Sequence, residues 1–268
     1  MSKILHIILT TIISLTVISC SSSDDSKTTT SSVSFVAVGT SGTLLTSSDG
    51  TTWTSRTSDT SNHLQRVIYA NSTFVTVGNS GTILTSSDGT TWTSRTSGTT
   101  NDLWGDHYGN SIFVAVGDSG TILSSSDGTS WDNRTSGTSY GLQKVFYANS
   151  RFMVVGDAGS MLRSSDGTSW DNSTSQTTAN LYGIHYVNSS IVMVGESGNI
   201  ITSLNDGSDW DNRTSGTTNR LYKVTYGNST FVTVGLSGTI LTSSDNGTTW
   251  ISRTSGTTET LHGIAYKE

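Results

Sequence analysis

Thr73-Phe-Val-Thr-Val77, Gly78-Asn-Ser-Gly81, Thr82-Ile-Leu-Thr-Ser86, Ser87-Asp-Gly-Thr90 and Thr91-Trp-Thr-Ser-Arg-Thr96 are five consecutive pieces of one stretch, and reading them decides the fold. The first piece alternates around Val75 and Val77, the pattern of a half-buried strand. Gly78-Asn-Ser-Gly81 then turns the chain, and Thr82 to Ser86 runs back. Ser87-Asp-Gly-Thr90 makes the next turn, and Thr91 to Thr96 is a polar strand. A loop at residues 97–102 leads to a fourth strand, Leu103-Trp-Gly-Asp-His-Tyr108, and Asn110-Ser111 turns into the next copy. Gly, Asn, Asp and Ser hold the turns because they accept positive φ or hydrogen-bond their own backbone.

The same pattern runs outward in both directions. Gly39, Gly78, Gly117, Gly156, Gly195 and Gly235 each end a Val-Gly pair. Trp53, Trp92, Trp131, Trp170, Trp210 and Trp250 keep step with them, as do Tyr69, Tyr108, Tyr147, Tyr186, Tyr226 and Tyr266. The spacing of 39 residues rises to 40 at the end, through one extra residue in the turns before Trp210 and Trp250. Four short strands in about 40 residues is the signature of a propeller blade. The reading is therefore all-β: a six-bladed β-propeller of four-stranded antiparallel blades over residues 34–268. An open β-solenoid would use shorter rungs and atypical end caps, and no such caps occur. The phase predicts closure of the ring. The chain begins with the strand type Ser34-Phe-Val-Ala-Val38 and ends with Leu261-His-Gly-Ile-Ala-Tyr266, an innermost strand that the first copy lacks.

Composition narrows the function classes. Hydrophobic residues make up only 32% and charged residues 13%, but the polar Ser, Thr, Gly and Asn sit in register with Val, Ile, Phe and Trp. That is a β pattern rather than a solvated coil. The absence of proline argues against a Pro-rich stalk. Formal net charge is −6 with no basic cluster, which argues against nucleic acid as a partner. A single cysteine excludes an intramolecular disulfide and a Cys-rich metal site. No cofactor is expected.

The N-terminus predicts export. Lys3 precedes an apolar stretch at residues 4–18 that is too short and too polar for a membrane span of roughly 20 residues. Val17-Ile18-Ser19-Cys20 resembles the lipobox of bacterial lipoproteins, in which the cysteine is lipidated and becomes the new N-terminus. Residues 1–19 are then a signal peptide and residues 20–33 a lipidated polar tether. Ser21 and Ser22 resemble signals for the outer rather than the inner membrane, so the expected place is the bacterial cell envelope.

Ser243-Ser-Asp245-Asn-Gly247-Thr-Thr249-Trp250 fits the Asp-box, or bacterial neuraminidase repeat, pattern S-x-D-x-G-x-T-W. With Val232-Thr-Val-Gly235-Leu-Ser-Gly238-Thr-Ile-Leu241 before it, the repeat resembles that of the photosystem II stability/assembly factor-like propellers. Copies one to four depart by lacking one residue between Asp and Gly, as in Ser47-Ser-Asp49-Gly50. The fifth has Asn205 at the Asp position and Asp209 where Thr is expected. The resemblance implies structural rather than catalytic use of the Asp, with its carboxylate accepting backbone N–H bonds in a tight turn. One reliable carboxylate per turn is too few for Ca²⁺, so no metal site is expected.

The Asp-box resemblance also raises a sialidase-like glycoside hydrolase as an alternative. That chemistry needs an arginine triad, a Tyr with a Glu partner and a further acid. Five of nine arginines (Arg56, Arg95, Arg134, Arg213 and Arg253) are equivalent positions of one polar strand, and the three glutamates, Glu196, Glu259 and Glu268, lie in no inner strand. No carboxylate pair can be nominated for a glycosidase, so no catalytic residue is assigned. Successive turns of a blade alternate between its ends. The Asn-Ser and Asp turns share a nearly invariant face, and the Gly-x-Ser-Gly turns share a variable one with the loops before the inner strands. Variation there marks a recognition surface. Its candidate residues are His63, Arg66, Asp102, Trp104, Asp106, His107, Tyr140, Tyr182, His185, Arg220, Tyr222 and His262. The preferred reading is a monomeric, membrane-anchored, non-enzymatic propeller that binds or assembles a protein partner. A glycan-binding propeller and a passive surface or adhesion repeat protein stay open as alternatives.

Overall fold

The computed structural model describes residues 33–266. The signal peptide, Cys20 and nearly all of the tether lie outside the described residues. Copy by copy, the chain forms five four-stranded antiparallel sheets and one three-stranded sheet. The second sheet shows the plan: Leu64–Ala70 is innermost, followed by Thr73–Gly78, Ile83–Ser86 and Thr93–Arg95 in spatial order.

Local chemistry sets each turn of this meander. Asn71 and Ser72 both take positive φ, 47° and 57°, as a tight two-residue hairpin between right-twisted strands requires. At the outer turn, Ser86 Oγ donates to Asp88 Oδ1 at 2.9 Å and accepts from Gly89 N at 2.8 Å. Asp88 Oδ1 accepts Thr91 N at 2.9 Å and Thr90 N at 2.7 Å. These backbone N–H bonds hold the Asp88 carboxyl well below the usual carboxylate range. Trp92 Nε1 donates to Gly89 O at 2.9 Å and lays the indole over the turn. In the fifth copy Asn205 accepts Asp209 N and donates to Asp209 Oδ2, so the two departures from the pattern compensate each other.

The core lies between the sheets. Val75, Val77 and Ile83 of the second sheet pack with Leu103, Phe113, Ala115 and Leu123 of the third. Phe74 and Leu84, on the opposite side of the second sheet, pack with Leu44 of the first. Strand alternation thus serves two layers from one sheet. Val33 packs against the layer between the first two sheets, so propeller packing begins one residue before the expected boundary. Among the described residues five such layers join consecutive blades.

The closing ladder is not formed in this structure. The first sheet comprises Phe35–Val38, Leu44–Ser47 and Thr54–Ser55 only, and residues 261–266 form no strand. Their seat is nonetheless the one that every other inner strand takes against the blade before it, here against the sixth blade. Leu261 N donates to Gly235 O at 2.9 Å, as Leu64 N does to Gly39 O at 2.9 Å. The Tyr266 ring lies on Gly227 as the Tyr147 ring lies on Gly109. The difference is covalent. Every other inner strand reaches its partner through an Asn-Ser hairpin, whereas residues 261–266 must find Phe35–Val38 across the whole chain, with the loop-closure entropy that this entails. Phe35 is left 49% exposed and Trp53 42% exposed, against 8% for the equivalent Trp92.

Candidate functional site

Turn-to-turn contacts group the ends of the blades as the alternation predicts. Asn110 Nδ2 donates to Ser165 O of the next blade's Asp turn, and Asp206 N donates to Ser189 O. At the other end, Asn79 N donates to His63 O, and Ser80 N to Asp102 Oδ1 of the following blade at 2.7 Å.

Each inner strand carries a β-bulge just after its first residue, because the register shifts between Leu64 and Arg66 and at the equivalent places. A bulge re-aims the unpaired side chain. The residues so presented at the variable end are Gln65, Trp104, Gln143, Tyr182 and Tyr222, and His262 holds the sixth place. They differ from blade to blade, and on one side they touch. Tyr182 and Tyr222 lie 5.9 Å apart, and Tyr222 and His262 4.9 Å. The Arg220 guanidinium sits 5.2 Å from the Tyr182 ring and 5.9 Å from that of Tyr222, and pairs with Glu196 at 3.1 Å. This is a cation–π arrangement with its fork held by a carboxylate. Burial pushes the Tyr182 hydroxyl up. On the other side Gln65 donates to Asn79 and Gln143 to Asp157, and the Trp104 ring closes over Gly141.

The structure sorts the twelve candidate residues into three places. Trp104, Tyr182, Arg220, Tyr222 and His262 line this mouth, with His63 and Tyr140 exposed beside them. Asp102 ties the turn of the preceding blade through Ser80 N. Arg66, Asp106, His107 and His185 lie deeper, off the face on which the sequence placed them. Asp106 is 1% exposed and pairs with Arg66 Nε at 3.2 Å, and burial pushes its carboxyl up. Its position alternates into the layer between blades, which local sequence could not show. Phe146 lies between His107 and His185, with centroids at 5.4 and 6.1 Å. Burial, then Lys144 and Arg66, lower the His107 imidazole to about 4. Burial and Lys223 lower His185. Glu196, Lys144 and Lys223 belong to the same variable positions but stand outside the twelve candidates. The lysines were findable, since Arg66, Lys144 and Lys223 occupy one repeat position on alternate blades.

The five repeated arginines lie on the outer strands. Their Nε atoms donate to Thr46, Thr85, Ser124, Thr202 and Thr242. Two open grooves of about 770 and 810 Å³ lie between outer parts of neighbouring blades, and Asp59 is the single acid lining either. No group of three or more His, Cys, Asp and Glu that could hold a metal ion occurs among the described residues.

Fold and mouth together define the class: a six-bladed β-propeller with one uniform face and one individualised face. No family model and no curated protein matches the sequence. Solved structures do. YCF48 bound to a D1 peptide aligns with a TM-score of 0.65 at 20% identity, over 81% of this chain and 76% of that one. YCF48 from Cyanidioschyzon merolae gives 0.64 at 18% identity over 81% and 80%. The computationally designed Ika8 protein gives 0.64 at 11% identity over 88% and 78%. The YCF48 structures are β-propellers, and the likeness is one of fold.

Proposed function

We propose that this chain is a non-enzymatic binding or assembly propeller, held by lipid on Cys20 at the outer membrane of a bacterial envelope, whose protein partner docks on the mouth around Arg220. The carrying observation is the difference between the two faces. The Asp turns repeat one bonding pattern from blade to blade, while the mouth gathers Tyr182, Arg220, Tyr222 and Glu196 on one side only. Aromatic and arginine side chains clustered at one end of the blades are the residue types that dominate protein interfaces. The similarity to YCF48, solved with a D1 peptide, supports a peptide segment as the element grasped by such a scaffold.

The test is cross-linking in cells with the full chain, followed by identification of what is joined to it. Arg220→Ala with Tyr222→Ala should remove a specific cross-linked protein while the melting temperature stays within a few degrees of wild type. Recovery of the same protein by the double variant would refute the mouth as the docking site. Cys20→Ser should move the chain from the membrane to the soluble fraction.

A further inference from the structure

Directly after the bulge, the five inner strands carry Arg66, Gly105, Lys144, Gly183 and Lys223, opposite Val77, Val116, Val155, Val194 and Val234 respectively. Gly263 holds the sixth place. Cations therefore occupy alternate blades, and glycine the blades between them. The glycines have a steric reason. A Cβ on Gly105 would lie 3.1 Å from Gln143 O and 3.2 Å from Lys144 Cα. A Cβ on Gly183 would meet Tyr222 O at 3.1 Å and Lys223 Cα at 3.2 Å. Each glycine lets the next, lysine-bearing strand close in.

Charge is unbalanced where these strands converge. Asp106 is the one carboxylate set against the three cations: it pairs with Arg66 at 3.2 Å and also attracts Lys144, and its Oδ2 is buried without a hydrogen-bond partner. The cations act on one another. Burial, then Arg66 and Lys223, bring the Lys144 ammonium down to about 7, against the pull of Asp106. Burial and Arg66 lower Lys223 as well. His107 and His185, the other titratable groups here, are both lowered, and an imidazole supplies no negative charge in either protonation state. Desolvated cations without enough counter-charge are stabilised by an anion.

We propose that Arg66, Lys144 and Lys223 form an oxyanion site in the central channel, selecting a tetrahedral dianion of the sulfate or phosphate class. Three donors on alternate blades suit three oxygens of a tetrahedral anion, and two charges balance the excess. The site stands apart from the mouth and does not depend on what binds there.

Inorganic sulfate is the probe, because it keeps its charge across the pH range in which Lys144 titrates. Calorimetric titration of the full chain should show saturable, one-to-one binding, tighter at about pH 6 than at about pH 8.5 by roughly tenfold as Lys144 loses its proton. Lys144→Met should weaken it at least about tenfold at the lower pH. Lys144→Arg should keep binding and flatten the pH dependence, because arginine does not titrate there. Lys223→Gln is a second, independent loss variant, and Arg253→Gln on the outer strand should leave binding unchanged. Absence of saturable heat, or sulfate stabilisation that rises without limit and equally in Lys144→Met, would overturn the proposal, since that is the signature of ion exclusion from the surface.

Discussion

Replacing Gly78 by alanine should damage this protein far more than replacing Gly256, although backbone angles alone rank them the other way. Gly78 is extended, with φ −166°, a conformation open to any residue, whereas Gly256 has φ +76°. Yet a Cβ on Gly78 would lie 2.2 Å from His63 O, and about 0.8 Å of backbone movement is needed to reach even 3.0 Å. That carbonyl accepts Asn79 N at 2.9 Å, so the movement also loosens a blade-end hydrogen bond. Overpacking of this kind costs about 1–3 kcal/mol, and the weakened bond adds up to about 1. Gly256 has nothing within 4 Å of a new Cβ, so only the left-handed φ acts there, at about 1 kcal/mol. Both substitutions stiffen the unfolded chain alike. For a domain of this size each kcal/mol moves the melting temperature by roughly 2–4 °C. Scanning calorimetry should therefore show a fall of roughly 2–16 °C for Gly78→Ala and no more than about 4 °C for Gly256→Ala. A larger fall for Gly256→Ala would refute close approach of the inner strand as the reason for the Val-Gly pair. The same geometry recurs at Gly117, Gly156, Gly195 and Gly235, with contacts of 1.9 to 2.2 Å, so the result should transfer.

Deleting residues 261–268 strips Leu261 from Gly235 O and Tyr266 from Gly227, and should lower and broaden the melting transition; an unchanged transition would show that the segment is not seated. Ser125→Ala removes a hydroxyl that donates to Asp127 and accepts from Gly128 N, and should cost about 1–3 kcal/mol by chemical denaturation. Backbone N–H bonds hold Asp88, Asp127 and Asp166 well below the usual carboxylate range, so their stabilisation is complete above about pH 4 and is lost as pH falls through their folded values. Acid titration of stability should show that decline, and Asp127→Asn should shrink it. Lys144 gives a slope of the same sign in a higher pH window, although there it is the charged form that folding disfavours. Its ammonium is lowered to about 7 by burial and by Arg66 and Lys223, so the unfolded chain holds more protons between that value and about 10. In sulfate-free buffer, stability should rise with pH across that window, and Lys144→Met should abolish the rise.

Repeats, strand phase and turn chemistry were open to reading in one dimension, because each depends on residues a few positions apart. A two-residue Asn-Ser hairpin or a Ser-x-Asp turn carries its own hydrogen-bond partners, and a 39-residue period needs no contacts to be seen. The chain alone therefore determined six blades, their four-strand plan and the division into a uniform face and a varied one. What it could not determine was depth. Asp106, His107 and His185 looked like members of the variable face, but the bulge after the first residue of each inner strand re-aims only the next side chain, and the later ones lie deeper, with Asp106 buried. Closure lay beyond sequence for a related reason. The phase predicts an inner strand at residues 261–266, yet pairing them with Phe35–Val38 is a contact between opposite ends of the chain. In this structure the segment holds its seat against the sixth blade without that ladder. Convergence of Arg66, Lys144 and Lys223 is likewise tertiary, since only the curvature of the ring brings alternate blades close enough for their charges to act on one another.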